Sequence, residues 1–486
     1  MKESELDWRI CSRARLSRDA RFDGKFFIGV RGSGVYCRPV CPAPTAKEKN
    51  CRYFATAAAA AEAGFRPCLR CRPECSPGTP AWLGTSATVS RALRLIEERE
   101  LGDDGIEGLA ARLGVGSRHL RRLFLRHLGA SPSAVMQTRR VHFAKKLIDE
   151  TKLPMTQLAI AAGYGCVRRF NAAIARTYHR TPMQIRANAR GTKSLPENEY
   201  LFQLRFRPPL HWYGMLEVLR EAATPGVEAA DDDSYRRTIS LNGHDGHIHV
   251  SLNPRYPALD ARIRFGDPRA LFLIVERIRR LFDLNADWAQ VAQNLGSDPM
   301  LARYLKAQPG LRVPGCWDGF ELAVRAILTQ SVETAGSRTL AGTLVQAFGR
   351  KVETGDALSH VFPAPGVLAD ADLAPIGVPP KPARTIRALG RAVADGRIAF
   401  EGLTDTDAFL ARLQQLTGME KPTAEYIVMR AAGEPDIFPA DARNLQAGFD
   451  CLSAFRQRAE KWRPWRSYAA ITLANSVADP ALALAG

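Results

Sequence analysis

In "GVYCRPVCPAP" (34–44), three residues separate Cys37 from Cys41, Arg38 lies between them, and prolines stiffen the chain. Two thiols at that spacing can close a disulfide, chelate a metal or present a nucleophile. Six of the ten cysteines fall between residues 37 and 75: Cys37, Cys41, Cys51, Cys68, Cys71 and Cys75. In a reducing compartment such a cluster points to metal rather than to disulfides. Cys37-x3-Cys41 and Cys68-x2-Cys71 form two short chelating turns, and two such turns can close a tetrahedron of thiolates around zinc.

Four thiolates on a divalent zinc carry a formal net charge of minus two, which makes the sulfurs electron-rich. Arg38, Arg66, Arg70 and Arg72 flank the ligands, a setting that can hold an anionic phosphate against a zinc-bound sulfur. The combination suits attack on a phosphate ester. A structural zinc knuckle with a basic rim has the same spacing.

The stretch "SRDARFDGKFFIGVRGSGVYCRPVCPAPTAKEKNCRYFATAAAAAEAGFRPCLRCRPE", residues 17–74, resembles the N-terminal domain of Ada-type alkylation-response proteins. That resemblance implies zinc ligands at Cys37, Cys41, Cys68 and Cys71, with Cys37 the acceptor of a methyl group from a methylphosphotriester in DNA. Cys51 and Cys75 fall outside the motif. Methylating one thiolate cancels one negative charge, so repulsion from the DNA backbone falls and affinity is expected to rise.

The elements around this cluster are basic. Residues 1–192 carry 34 Lys+Arg against 16 Asp+Glu, and the remainder carries 34 against 34, so the net charge of +18 is entirely N-terminal. A basic half on recognisable DNA-reading elements indicates a nucleic-acid partner. At 486 residues the chain accommodates three or four domains. No apolar run approaches a membrane span, and "MKESELDWRI" lacks the apolar core of a signal peptide, so a cytoplasmic location is expected.

After the Gly/Pro/Ser loop "SPGTPAWLGTS" (76–86), helical periodicity begins at "ALRLIEERE". "IEGLAARLGVGSRHLRRLF" (106–124) and "MTQLAIAAGYGCVRRFNAAI" (155–174) share a Leu-Ala step, a glycine turn at Gly114 or Gly163, and an Arg-rich second helix. That is the helix-turn-helix layout, in which the second helix enters the major groove. Arg118, Arg121 and Arg122 in one unit, and Arg168, Arg169 and Asn171 in the other, are candidate readers of base edges; a face touching only phosphates is the alternative. Leu120, Leu123, Phe124 and Phe170 are expected in the core. The stretch resembles the tandem DNA-binding domain of AraC-type regulators, which implies a transcription activator acting with RNA polymerase on an asymmetric site, as a monomer.

The neutral half opens after "RGTKSLPENEY" with strand-like "LFQLRFRPP", "SYRRTISL" and "GHIHVSL", then a helix at "ALFLIVERIRRLFDL". His244, His247 and His249 fit a hairpin better than a metal site. From residue 309 the chain is expected to be helical to its end, and "AEKWRPWRSYAAITLA" (459–474) strengthens a resemblance to the 3-methyladenine DNA glycosylases of the helix-hairpin-helix superfamily. Such enzymes flip an alkylated base out of the duplex and cleave its glycosidic bond. The chain departs from the family pattern in several places. "LTGMEKPTA" (416–424) puts Glu420 where the hairpin has its second glycine and Pro422 where it has an aromatic residue. Ser331 and Ala474 replace larger residues near the base. "DIFPADARNLQ" places Ala442 at the catalytic aspartate's position and Asp441 one residue early, while Tyr426 is kept as a candidate for stacking on the base. A working glycosylase using Asp441 in a shifted loop, and a lesion-binding or structural remnant, both remain open, the second being favoured.

The expected architecture is multidomain and mainly α with small α+β domains. It comprises an Ada-type zinc-binding methyl-acceptor domain (1–78), an AraC-type tandem helix-turn-helix (82–190), a small TATA-binding-protein-like α/β domain (198–285) and a helix-hairpin-helix glycosylase-like domain (286–486). The expected function is a response to DNA alkylation damage, with one zinc ion as cofactor and double-stranded and alkylated DNA as partners. The alternatives are an alkylbase glycosylase recruited by its N-terminal half, and a zinc transcription factor without repair chemistry.

Overall fold

Four short strands build the cysteine-rich segment: β1 (Phe27–Val30), β2 (Val35–Cys37), β3 (Cys51–Phe54) and β4 (Arg66–Pro67), in the order β3-β1-β2-β4. β1 is antiparallel to β2 and β3, and β4 runs parallel to β2. Two helices flank the sheet, α1 (Trp8–Leu16) and α2 (Ala57–Glu62). The Asp7 carboxylate caps α1 by accepting from the Arg9 N–H at 2.8 Å, and the Thr56 hydroxyl caps α2 by accepting from the Ala59 N–H at 3.0 Å.

This computed structural model describes residues 7–78, 87–98, 105–188, 195–330, 334–354, 358–403, 405–439 and 452–478. The chain divides into two units. One is Met1–Pro208 with Asn253–Glu276 and Leu284–Ala286; the other is Pro209–Leu252 with Arg277–Asp283 and Asp287–Gly486. Among the described residues no helix is long and apolar enough to cross a membrane.

In the first unit the helices after the sheet are α3 (Ala87–Glu98), α4 (Gly105–Arg112), α5 (Ser117–Leu128), α6 (Pro132–Glu150), α7 (Met155–Ala161), α8 (Val167–Tyr178) and α9 (Pro182–Ala187). Gly114 and Gly163 form the turns inside the two helix-turn-helix units with φ of +66° and +73°, backbone that side-chain-bearing residues rarely adopt. Ser131 caps α6, with Pro132 in its first turn.

The sheet does not have a core to itself. Phe27, Tyr36, Phe54 and Ala58–Ala60 pack in one cluster with Val89, Leu93, Leu120, Phe124 and Val135 of the helices. A segment of about 70 residues buries little surface alone, and the alanines of α2 let a second layer come close: a Cβ on Gly129 would lie 3.3 Å from that of Ala59. The Thr56 hydroxyl also donates to the Leu128 carbonyl at 2.9 Å, tying α2 to the end of α5. Further along α6, Lys146 donates to the Gln203 carbonyl at 2.6 Å, and Phe143 meets Phe272 edge-on at 5.0 Å. Gln203 belongs to strand Glu199–Arg205, which pairs antiparallel with strand Ala258–Phe265.

In the second unit, strands Glu228–Ala230, Ser234–Leu241 and His244–Leu252 form an antiparallel meander with an Asn242-Gly243 turn. His244, His247 and His249 lie along its third strand, in register with Leu241, Thr238 and Arg236. A buried ion pair joins Arg237 to Glu321 of helix Gly319–Thr329 at 2.8 Å. The helical core includes Phe320, Val324, Ile327, Leu344, Ile386, Leu389, Phe409 and Ile427. The expectation of unbroken helix after residue 309 is corrected here, because Arg350–Lys351 and His360–Val361 pair as two short antiparallel strands.

Candidate metal centre and nucleic-acid interface

Each chelating turn hangs from a strand of the small sheet. Cys37 ends β2 and Cys41 follows in a tight turn, its N–H donating to the Arg38 carbonyl at 3.1 Å. Cys68 follows β4, its N–H donating to the Tyr36 carbonyl at 3.0 Å, and the Arg72 N–H donates to the Cys68 carbonyl at 3.1 Å. Because β2 and β4 are parallel neighbours, both turns open at the same end of the sheet.

The four sulfurs lie within 4.8 Å of one another. A tetrahedral shell with ~2.3 Å zinc–sulfur bonds has edges of about 3.8 Å, so the donor set and its span fit zinc, and this cluster is the chain's zinc site. Cys68 and Cys71 are buried; Cys37 and Cys41 are intermediate as residues, and within the cluster Cys37 is the more enclosed of the two. The sulfurs also differ in their contacts. The Arg38 N–H donates to Cys71 Sγ at 3.3 Å, and the Ala43 and Cys71 N–H groups hydrogen-bond the sulfurs of Cys41 and Cys68.

Two of the four arginines expected to meet phosphate are tied to carboxylates of the protein itself. Arg38 is 3% exposed, and its guanidinium closes on the buried Asp23 carboxylate and donates to the Cys71 carbonyl at 2.9 Å. Arg72 turns toward α6, reaching Asp149 at 2.9 Å and Glu150 at 3.2 Å, with Glu74 at 3.2 Å. A buried guanidinium such as Arg38 needs an anionic partner, and Arg72, a third exposed, is likewise held by carboxylates within the protein. Arg66 is half-buried and Arg70 exposed; these are the two left at the rim.

Behind the cluster, the Tyr36 hydroxyl lies 2.7 Å from His142 Nε2 on α6. Burial pushes this imidazole down to about 4, against the pull of nearby Glu74 and with Lys145 and Arg139 adding to the depression; the ring is therefore neutral near pH 7. Burial pushes the Glu74 carboxyl up, yet Lys145 and Arg72 hold it below its ordinary range. Nothing in the sequence pattern singled out this junction, since Tyr36 and His142 are 106 residues apart.

On the second helix of each helix-turn-helix, Arg118, Arg121, Arg122, Arg168, Arg169 and Asn171 are all exposed, while Leu120, Phe124 and Phe170 are buried and Leu123 packs against the core. The candidate readers thus share the outer faces of α5 and α8. The Arg122 guanidinium contacts His119 Nδ1 at 2.9 Å.

In the second unit the hairpin region places Glu420 before helix Lys421–Ala431, exposed and paired with Lys381 at 2.7 Å. Pro422 falls in the first turn of that helix, where a missing N–H costs nothing. Gly418 has φ of +84°, with Thr385 packed against it, and its carbonyl accepts from Gln330 Nε2 at 3.0 Å. Tyr426 is half-buried; its hydroxyl accepts from Arg430 at 2.6 Å, and Arg430 is anchored on the carbonyls of Pro314 and Gly315. Asp441, Ala442 and Ser331 lie outside the described residues.

Comparison with known proteins places three family models on the chain: the metal binding domain of Ada over residues 10–74, a helix-turn-helix domain over 109–188 and the AlkA N-terminal domain over 201–318. A probable bifunctional transcriptional activator/DNA repair enzyme AlkA of Mycobacterium tuberculosis is 39% identical over 484 residues, which is 98% of this chain and 97% of that protein. DNA-3-methyladenine glycosylase 2 of Escherichia coli is 31% identical across 55% of this chain and 95% of its own length. The bifunctional transcriptional activator/DNA repair enzyme Ada of Escherichia coli is 34% identical across 31% of this chain and 40% of its own length.

Proposed function

The chain belongs to the family of bifunctional transcriptional activator/DNA repair proteins that join Ada-like and AlkA-like parts, and on that premise we propose that it senses DNA alkylation by stoichiometric methyl transfer to Cys37. The observation that carries this is the four-sulfur cluster, its ligand atoms within 4.8 Å of one another and Cys37 presented at the end of β2, in a segment that matches the metal binding domain of Ada. Zinc, when bound, keeps its four thiols ionised at neutral pH. Cys37 Sγ then attacks the methyl carbon of a methylphosphotriester. The sulfur–carbon bond forms as the carbon–oxygen bond breaks, the electron pair passes to oxygen, and a phosphodiester anion leaves without proton transfer. Arg70, with Arg66 beside it, draws the backbone to the cluster.

Residues 1–78 carry this chemistry in the proposal, and 82–190 read sequence through Arg118, Arg121, Arg122, Arg168, Arg169 and Asn171 to activate transcription with RNA polymerase. Loss of one thiolate charge then strengthens the hold on DNA. For residues 198–285 and 286–486 we propose binding of alkylated bases, with Tyr426 beside the base, rather than efficient excision. The Glu420 carboxylate at the hairpin supports that preference by opposing phosphate.

Two experiments test this. Zinc-loaded protein mixed with DNA carrying methylphosphotriesters should gain the mass of one methyl group, and Cys37→Ser should gain none; uptake by that variant overturns the assignment. Single-turnover release of methylated base, with Asp441→Asn alongside, tests the second half. Release that the variant abolishes would make it a working glycosylase.

A further inference from the structure

The zinc cluster is supported from behind by one stripe of α6. Tyr36 precedes Cys37 on β2 and meets His142; Arg72 follows Cys71 and reaches Asp149; Glu74 lies 3.4 Å from Lys145. Residues 142, 145 and 149 are spaced by three and four, which aligns them on one face of a helix. Both flanks of the cluster therefore rest on the helix that joins the two helix-turn-helix units.

The two flanks are held differently. Charged groups hold the Cys71 side in several contacts, whereas on the Cys37 side the polar contact described for the Tyr36 hydroxyl is His142. Tyr36 is 1% exposed and packs edge-on to Phe27 at 6.0 Å. Its ring cannot slide along the sheet without disturbing close-packed neighbours. Rotation about the side chain is checked by the hydroxyl contact, and β2 carries Cys37 as the very next residue. An in-line attack tolerates little error: a misplacement of about 1 Å can cost roughly a hundredfold in rate.

We infer that His142 is a positioning residue for methyl acceptance, acting through the Tyr36 hydroxyl to fix the strand that presents the Cys37 sulfur. The inference rests on the reading of Cys37 as acceptor. His142 touches neither DNA nor metal ligand in this role. The imidazole serves as a fixed polar anchor supplied by the DNA-reading part of the chain to the chemical part, so the acceptor's aim depends on α6.

The test uses the full zinc-loaded chain in four forms: wild type, His142→Leu, His142→Gln and Tyr36→Phe. Zinc content, affinity for an unmodified mixed-sequence fluorescent duplex, and the single-turnover rate of methyl uptake at saturating methylphosphotriester DNA are measured. The expected result is uptake slowed about tenfold in His142→Leu and Tyr36→Phe, with zinc content and duplex affinity at wild-type values and most of the rate restored in His142→Gln. A merely structural role would move zinc content or affinity with the rate. Wild-type uptake in a zinc-replete Tyr36→Phe protein overturns the inference, even if His142→Leu fails to fold. No uptake by the wild type would instead remove the assignment of Cys37.

Discussion

Arg38 and Asp23 form a closed, buried ion pair one residue away from Cys37. The cation nearest the proposed acceptor in sequence is thus a brace for the cluster, since its N–H and guanidinium also hold the sulfur and carbonyl of Cys71.

Asp23→Ala leaves that guanidinium buried without its anion, and loss of one partner of a buried pair costs about 3–5 kcal/mol. Denaturant unfolding and zinc retention should both show the loss. Arg70→Ala, at an exposed site, should leave both unchanged while slowing methyl uptake at subsaturating DNA. If Asp23→Ala proved as stable as wild type, the bracing role would be wrong.

Protonation of His142 gives a pH signature. With the folded ring held near about 4 by burial and an unfolded imidazole near about 6.5, its contribution is intact above about pH 6.5. It is lost as pH falls toward about 4, because only the unfolded chain gains the proton. The difference is on the order of 3 kcal/mol. Comparing wild type with His142→Gln at about pH 7.5 and about pH 5 isolates it, and the wild type should lose more stability than the variant.

On the hairpin, Glu420→Gln removes a carboxylate from the start of helix Lys421–Ala431 and releases Lys381. Affinity for duplex DNA should rise by a few fold, with a steeper salt dependence because one more cation is free for phosphate. Anisotropy titrations at two salt concentrations measure both. Unchanged affinity would place the hairpin away from DNA.

The exposed arginines of α5 and α8 should report separate parts of a binding site. Arg118→Ala and Arg168→Ala each should cost about 1–3 kcal/mol and relax sequence preference at different positions. Selection from random duplexes reads this directly. A uniform loss, with a salt slope smaller by about one, would identify phosphate contacts instead.

Local spacing carried much of this structure into view. The zinc ligands were legible because two short turns need only a few residues each to declare themselves, and the buried faces of α5 and α8 because Leu120, Phe124 and Phe170 follow helical periodicity. What spacing does not carry is direction over distance. Arg38 and Arg72 look like phosphate clamps until Asp23, Asp149 and Glu150 are brought to them by the fold. The contact between Tyr36 and His142 spans 106 residues and has no periodic signature. The Arg350–Lys351 and His360–Val361 pair was missed because two-residue strands are too short to alternate.

The sheet that carries the four cysteines and helix α5 share one interior, in which Phe27, Tyr36 and Phe54 pack with Leu120 and Phe124. On the proposed reading, withdrawing zinc from the ends of β2 and β4 is expected to slacken the wall on which α5 leans, so chelation should weaken duplex binding along with methyl uptake.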